Sequence, residues 1–264
     1  MLFSLLVCLL GGIAGGLLSG MLGIGGGILM VPLLIYLLPI MGMPAAIVVP
    51  TAIGTSLATI MLTTLSGARA HAKRGYVEWS WVRLIAPAMV IGGFVGGAIG
   101  ARIPPELLQR IFAFVLLLLA LQMLWKKRPQ AQDRNHNPTV VRATGVGIGA
   151  IAALVGIGGG ALLVPLLHFY QVAMRNAVAI AAVCSVVLAA VGTFSYMFLA
   201  PTVSHPDIPG LIGYIYLPAW LAIAATSVIF ARVGAAIAHR LPVRYLQRAF
   251  AVLLVSVSVH LFLT

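Results

Sequence analysis

The chain has 264 residues, 62% of them hydrophobic and only 8% charged. A soluble globular domain carries about 25% charged residues, so this chain lacks the polar material to cover a water-exposed surface. Its 16 Lys and Arg against 4 Asp and Glu give a net charge of +12. The basic residues nevertheless fall in short clusters between long apolar runs, as in the cytoplasmic loops of a membrane protein, and no nucleic-acid-reading motif is present. The expected partner is therefore the lipid bilayer and not nucleic acid.

Crossing a bilayer core of about 30 Å takes about 20 apolar residues. In chain order the predicted spans are Leu2 to Met21, a shorter segment Ile28 to Leu38, then Ala45 to Leu65, Val82 to Ala101 and Leu107 to Trp125. The run from Met1 to Leu38 lacks a basic n-region and a clean cleavage signature, and it is longer than the apolar core of a signal peptide. It reads as mature membrane structure. A polar stretch rich in charge, Pro and Asn follows, from Lys126 to Arg142. The second series is Ala143 to Val155, Ala161 to Tyr170, Ala177 to Leu199, Leu211 to Ala238 and Tyr245 to Leu263.

The two series repeat one another. LGIGGGILMVPLL (Leu22 to Leu34) matches VGIGGGALLVPLL (Val155 to Leu167) at ten of thirteen positions. ARIPPELLQRIFA (Ala101 to Ala113) matches HRLPVRYLQRAFA (His239 to Ala251) in its Arg, its Pro, the LQR triplet and the Phe-Ala pair. Two matches in the same order on either side of one polar linker mark an internal duplication. The expected organisation is a first repeat over residues 1–125, a cytoplasmic linker over 126–142 and a second repeat over 143–264. The fold class is all-α and polytopic, with two homologous halves.

Charge argues the orientation. Arg69, Lys73 and Arg74 mark one basic loop, and Lys126, Lys127, Arg128, Arg134 and Arg142 a second two spans later, so both are expected in the cytoplasm. The counterpart of the first basic loop, Ala200 to Gly210, carries no Lys or Arg, while Arg240, Arg244 and Arg248 cluster one span later. That is the pattern of an inverted repeat, which needs an odd number of crossings per half. The glycine-broken segment must then count as two passes or as a re-entrant hairpin. Ala70 is expected on the cytoplasmic side and Ser204 outside.

Each half carries GIGGG, Gly23 to Gly27 and Gly156 to Gly160, followed by Pro32 and Pro165. Adjacent glycines stop a helix, at about 1 kcal/mol per residue relative to Ala, and open backbone in a bilayer is tolerated only where it is buried in protein or lines a cavity. Each break is expected to end one helix and start another. Free N–H groups are expected at Gly26, Gly27 and Ile28, and at Gly159, Gly160 and Ala161, with Gly25 and Gly158 beside them. Two such starts facing each other would hold an anion without a charged side chain. Close packing of small residues is the competing explanation, and it suffices for Gly92, Gly96 and Gly100. No Lys-Ser or Lys-Thr follows the glycines, so this is not a phosphate-binding P-loop.

Hydroxyls are the next candidates. Thr51, Thr55 and Thr59 share a helix face. Thr55 and Ser56 are matched in the second half by Cys184 and Ser185, and each is a candidate anion donor or merely bonded to its own helix. The histidines stand at segment ends without metal-binding spacing. Arg232, inside an apolar stretch, either snorkels or serves the substrate. All four acids, Glu78, Glu106, Asp133 and Asp207, lie outside the apolar cores, and no nucleophile, base or cofactor site is assembled, so an enzyme is not expected.

These features resemble the sulfite exporter TauE/SafE family. The resemblance rests on the duplicated GIGGG-x-x-x-VP-type element, the Thr55 to Leu57 triplet, the Leu65 to His71 stretch and the Arg-x-Pro and LQR-x-F element closing each half. It covers essentially the whole chain and implies transport of sulfur-containing anions such as sulfite, sulfonates or sulfoacetate across the cell (inner) membrane. The second half departs from the triplet, with Cys184-Ser185-Val186. The residues themselves point to a small-anion carrier with no cofactor. An anion channel and a non-transport scaffold or assembly protein stay open as alternatives, as does a homo-oligomer.

Overall fold

Inside hydrocarbon a peptide group finds a partner only in another peptide group of its own segment, so apolar runs of this length become helices. A computed structural model describes residues 2–22, 27–124, 137–200, 208–238 and 243–263. The first half comprises α1 (Leu2–Leu22), α2 (Gly27–Ile40), α3 (Ala45–Lys73), α4 (Trp79–Gly100) and α5 (Pro105–Leu124). The second comprises α6 (Pro138–Val155), α7 (Gly160–Phe169), α8 (Met174–Phe198), α9 (Leu217–Ala238) and α10 (Val243–Leu263). Among the described residues, five helices are long and apolar enough to cross a membrane: α3, α4, α5, α6 and α8. Their outward faces expose Ile91, Phe94, Phe114, Leu118, Phe194 and Phe198, a surface suited to lipid and not to water.

Three sequence expectations change. Helix α6 begins at Pro138, five residues inside the expected linker, because Asn137 caps it by accepting a hydrogen bond from the Thr139 N–H at 3.0 Å and Pro138 fits the first turn. Helix α3 continues to Lys73, so Arg69 and His71 stand on its last turns and not in a loop. The span expected from Leu211 to Ala238 is not one helix. Its first six residues form an antiparallel ribbon, β1 (Leu211–Ile212) and β2 (Ile215–Tyr216), with Ile212 opposite Ile215. The two-residue turn has Gly213 first, at φ 54, the Gly-X signature of a tight hairpin.

Helices from different halves interlock. Helix α4 runs parallel to α6: Gly92 meets Val146 and Ala150, Gly96 meets Ala150, and Gly100 lies near Leu154. Helix α1 runs parallel to α9, with Gly12 against Ile223 and Gly16 against Ser227. These two pairs are counterparts under exchange of the halves. Helices α3 and α8, themselves counterparts, cross antiparallel, since Gly54 meets Tyr196 and Leu57 meets Gly192. Helices α5 and α10 are also antiparallel: Gln109 donates to the Leu261 carbonyl at 3.1 Å, and Ser258 to the Ala113 carbonyl at 2.7 Å. Helix α2 folds back along α1, with Gly11 beside Leu33 and Gly15 beside Met30. At about 1.5 Å per residue, the 14 residues of α2 reach about 21 Å and the 10 of α7 about 15 Å, short of a full crossing.

The α4–α6 seam depends on missing side chains: a Cβ on Gly92 would lie 2.0 Å from the Val146 carbonyl oxygen, and one on Gly96 2.1 Å from that of Ala150. Gly92→Val should therefore cost about 1–3 kcal/mol or more and lower the thermal unfolding temperature of the detergent-solubilised protein. Gly147, on the same α6 but with nothing within 4 Å of its would-be Cβ, is the control. Gly147→Ala should leave that temperature unchanged or slightly raised.

Candidate functional site

The glycine breaks form as the sequence predicts where they are described. Helix α6 ends at Val155, and Gly156 takes the left-handed conformation at φ 72, its N–H returning to the Ala152 carbonyl. That turn is open to glycine at no steric cost and to other residues only with strain. The Ile157 N–H also bonds to the Ala152 carbonyl, and α7 starts at Gly160. The N–H groups of Gly158, Gly159 and Gly160 donate to no described group, and all three residues are buried. The expectation is displaced by one residue, because the Ala161 N–H bonds to the Gly158 carbonyl at 3.5 Å. In the first half Gly25 and Gly26 lie outside the described residues. Gly27 and Ile28 are buried at the start of α2.

The two breaks touch. A Cβ on Gly27 would lie 2.7 Å from the Gly156 carbonyl oxygen and 2.3 Å from the end of Ile60, so only glycine permits the approach. Ser56, fully buried in mid-α3, ties them together. Its hydroxyl donates to the Gly156 carbonyl at 3.0 Å, with the Gly27 carbonyl sharing the proton at 3.4 Å. Thr55 faces the ribbon: its Oγ1 accepts the Tyr216 N–H at 3.0 Å. The Tyr214 N–H bonds to the Tyr196 carbonyl at 3.0 Å, so the tip of the ribbon is held between α3 and α8. Sequence reasoning missed this contact, although Gly213 between Leu-Ile and Tyr-Ile-Tyr was its signal.

The remaining hydroxyls divide. Thr59 donates to the Thr55 carbonyl at 2.9 Å, one turn back on its own helix, and Thr63 and Thr64 back-bond in the same way. Thr51 and Ser185 are buried without a hydrogen-bond partner. Ser185, 2% exposed, aims at the second break: its Oγ lies 3.7 Å from where a Cβ on Gly159 would stand. Met89 and Leu188 crowd the other sides of that position. The site residues of the second half, Gly158, Gly159, Gly160 and Ser185, are thus brought together, with Ala161 one step inside α7. Arg232 stands on α9 fifteen residues past Leu217, about 22 Å along the helix. Among the described residues no Lys, Arg, Asp or Glu side chain is buried; the buried polar groups include the hydroxyls of Thr51, Thr55, Ser56, Thr59 and Ser185 and that of Tyr196, which donates to the Leu154 carbonyl at 3.1 Å.

A bundle of long apolar helices with large apolar side chains on its outer faces is an α-helical multi-pass membrane protein. The sequence matches the family described as sulfite exporter TauE/SafE over residues 8–261, and the chain belongs to that family. It is 38% identical to a "Probable membrane transporter protein" of Haemophilus influenzae, over 98% of both chains. It is 28% identical to a protein of the same name from Xylella fastidiosa strain 9a5c, over 97% of this chain and 94% of the relative. A third relative, "Probable membrane transporter protein MJ0441" of Methanocaldococcus jannaschii, is 26% identical over 88% of this chain and 85% of its own length. No solved structure matches the chain.

The two serines should separate in a stability measurement. Ser56→Ala leaves the buried Gly156 carbonyl without its partner and should cost about 1–3 kcal/mol, read as a lower unfolding temperature in detergent. Ser185→Ala removes a hydroxyl that bonds to nothing and should leave stability within error. An equal loss in both variants would contradict the assignment of Ser56 as the tie.

Proposed function

We propose that this chain is a secondary transporter of small anions, sulfur-containing in keeping with its family's name, and that it works in the cell (inner) membrane as an inverted repeat. The observation that carries the anion reading is the meeting of two glycine breaks at the centre of the bundle. There, among the described residues, three N–H groups donate to no other group and the Ser185 hydroxyl has no hydrogen-bond partner. A buried donor without a partner costs about 1–3 kcal/mol, and four gathered at one spot make sense where a bound acceptor completes them. Gly158, Gly159, Gly160 and Ser185 face the substrate in this reading. Gly27, Ile28 and Ala161 supply the opposing and flanking helix starts, with Gly25 and Gly26 preceding them in the sequence, and Thr55 and Ser56 hold the frame.

The inverted arrangement is supported by helix directions. Counterpart helices α3 and α8, and α5 and α10, cross antiparallel, as a two-fold axis in the membrane plane requires. Helix α2 folding back on α1 gives five helices per half, the odd number that reverses the second half. The direction of each helix also gathers Arg69, Lys73, Arg74, Arg83, Arg142 and Arg175 at one end of the bundle and leaves Arg102 and Arg110 at the other. By the positive-inside bias the richer end is cytoplasmic.

Ser204, expected outside, lies beyond the described residues, and the exposed Pro209 of the same connection takes its place as a marker. Single cysteines at Ala70 and Pro209, in a chain with Cys8 and Cys184 replaced, should react with an impermeant thiol reagent from opposite sides of the membrane. Reaction of both from one side would sink the inverted arrangement. Function is tested by flux of radiolabelled sulfite and alkyl sulfonates into proteoliposomes. Saturable flux, lost in Gly159→Val while the protein still inserts, is the expected outcome. Flux that never saturates would make the chain a channel, and no flux under any gradient would remove the transport reading.

A further inference from the structure

The connection between α8 and α9 differs in kind from its counterpart. Helix α3 passes to α4 through a short turn over residues 74–78, whereas α8 passes to α9 through the ribbon of β1 and β2. One end of the ribbon lies at the surface, with Gly210 and Ile212 exposed, and the other is buried at Tyr214, Ile215 and Tyr216. The Tyr216 N–H donates to Thr55 Oγ1 at 3.0 Å, and the Tyr214 N–H to the Tyr196 carbonyl at 3.0 Å. Thr55 lies ten residues past Ala45, about 15 Å along α3, and adjoins Ser56, which joins the two breaks. The ribbon therefore closes over the centre from the end of the bundle opposite Arg69, Lys73 and Arg74.

The ribbon rests on the helices backbone to backbone. A Cβ on Gly54 would lie 2.4 Å from the Tyr214 carbonyl oxygen, and one on Gly213 2.1 Å from that of Met197. Two glycines thus shape a seat, and the bonds across it are neutral hydrogen bonds, whose net strength is small because water can replace either partner. A two-stranded hairpin has little stability of its own, so the ribbon keeps its position through that seat. Thr51 supplies an independent sign. It stands one turn from Thr55 toward Ala45 on the same face of α3, and it is fully buried with no hydrogen-bond partner. A hydroxyl sealed from water without a partner is costly in a permanent arrangement, and it is accounted for if that face is wetted in another state. A permanent brace would be needed in both halves of a duplicated chain, yet the first half manages with a turn.

We propose that the ribbon from Leu211 to Tyr216 is the outer gate of the transport path. Seated between α3 and α8, it separates the centre from the water at the Ala45 end of the bundle. Withdrawn, it frees Thr55 and uncovers the face of α3 that carries Thr51, and water takes up the hydrogen-bonding groups released on both sides. The proposal rests on the transport reading for what passes the gate, and it adds which element moves and on which side.

Thiol labelling in intact cells, with an impermeant reagent added outside, tests the gate. Thr51 bonds to nothing, so Thr51→Cys removes no hydrogen bond, and with Cys8→Ala and Cys184→Ala it leaves a single reporter on the gated face. Thr64→Cys, also buried but nearer the other end of α3, is the control. Thr55→Val takes away the acceptor of the Tyr216 N–H at nearly constant volume, and Gly213→Val drives the turn against the Met197 carbonyl. Either change should speed labelling at position 51 at least tenfold and leave position 64 as it was. No acceleration at position 51 overturns the gate. Equal acceleration at both positions overturns it too, because the ribbon would then be a brace whose loss loosens the whole bundle. The transport reading fails separately. Labelling that follows the ribbon in a chain that moves no anion through proteoliposomes keeps the moving ribbon and removes transport. Flux with labelling unaffected by the ribbon does the reverse.

Discussion

The structure turns on one hydrogen-bonded junction: Ser56 of α3 holding the carbonyls of Gly156 and Gly27. A bilayer leaves no water to satisfy an interrupted helix, so a chain that breaks two helices must bring the loose ends to protein partners. Each half supplies one break, and a hydroxyl in the middle of the first half's longest helix joins them. The approach of Gly27 to Gly156 is too tight for any side chain, and α3 and α8 pack closely beside it through Gly54 and Gly192. Small residues along α4 and α6, and along α1 and α9, then let the outer helices close around this centre.

Much of the fold could be read in the sequence because a membrane simplifies the problem. Apolar length marks the helices, and the two GIGGG motifs mark the breaks. What could not be read is which helix packs on which. The exchange of partners between halves, α4 with α6 and α1 with α9, leaves the same trace of small residues that any packed pair would leave. Helix ends were also obscured. The start of α6 depends on the Asn137 cap, a local hydrogen bond overruling a polar composition that reads as linker. The ribbon before α9 was hidden by its own hydrophobicity: Tyr214, Ile215 and Tyr216 are buried because they insert between α3 and α8, and so they extend the apolar run of the helix that follows.

The site was legible in its backbone and less so in its side chains. Glycine runs predict free N–H groups because no other local structure accounts for them, and the shift by one residue at Ala161 reflects how tightly α7 begins. A hydroxyl in a membrane helix, by contrast, has several uses that sequence does not separate. Thr59, Thr63 and Thr64 serve their own helix, Thr55 accepts from the ribbon, Ser56 joins the breaks and Ser185 bonds to nothing. All six stand in similar apolar surroundings in the sequence. Only their neighbours across the bundle distinguish them.

Duplication explains why two related serines can differ so far. Ser56 and Ser185 occupy matching places in α3 and α8, yet one is bonded and the other is not. In a symmetric dimer both would be constrained alike, because one sequence serves both positions. Fusion of the two halves into one chain removes that constraint. The ribbon from Leu211 to Tyr216 has no counterpart in the short connection between α3 and α4, so it meets Thr55 on one side of the centre only. Position 184 carries a cysteine where position 55 carries the threonine that receives the ribbon. At this matched pair of positions the first half supplies the frame, through Ser56, and the second half an unbonded hydroxyl, that of Ser185. A ligand can be gripped and released without dismantling the junction only if the group that holds the structure together differs from the group that holds the ligand.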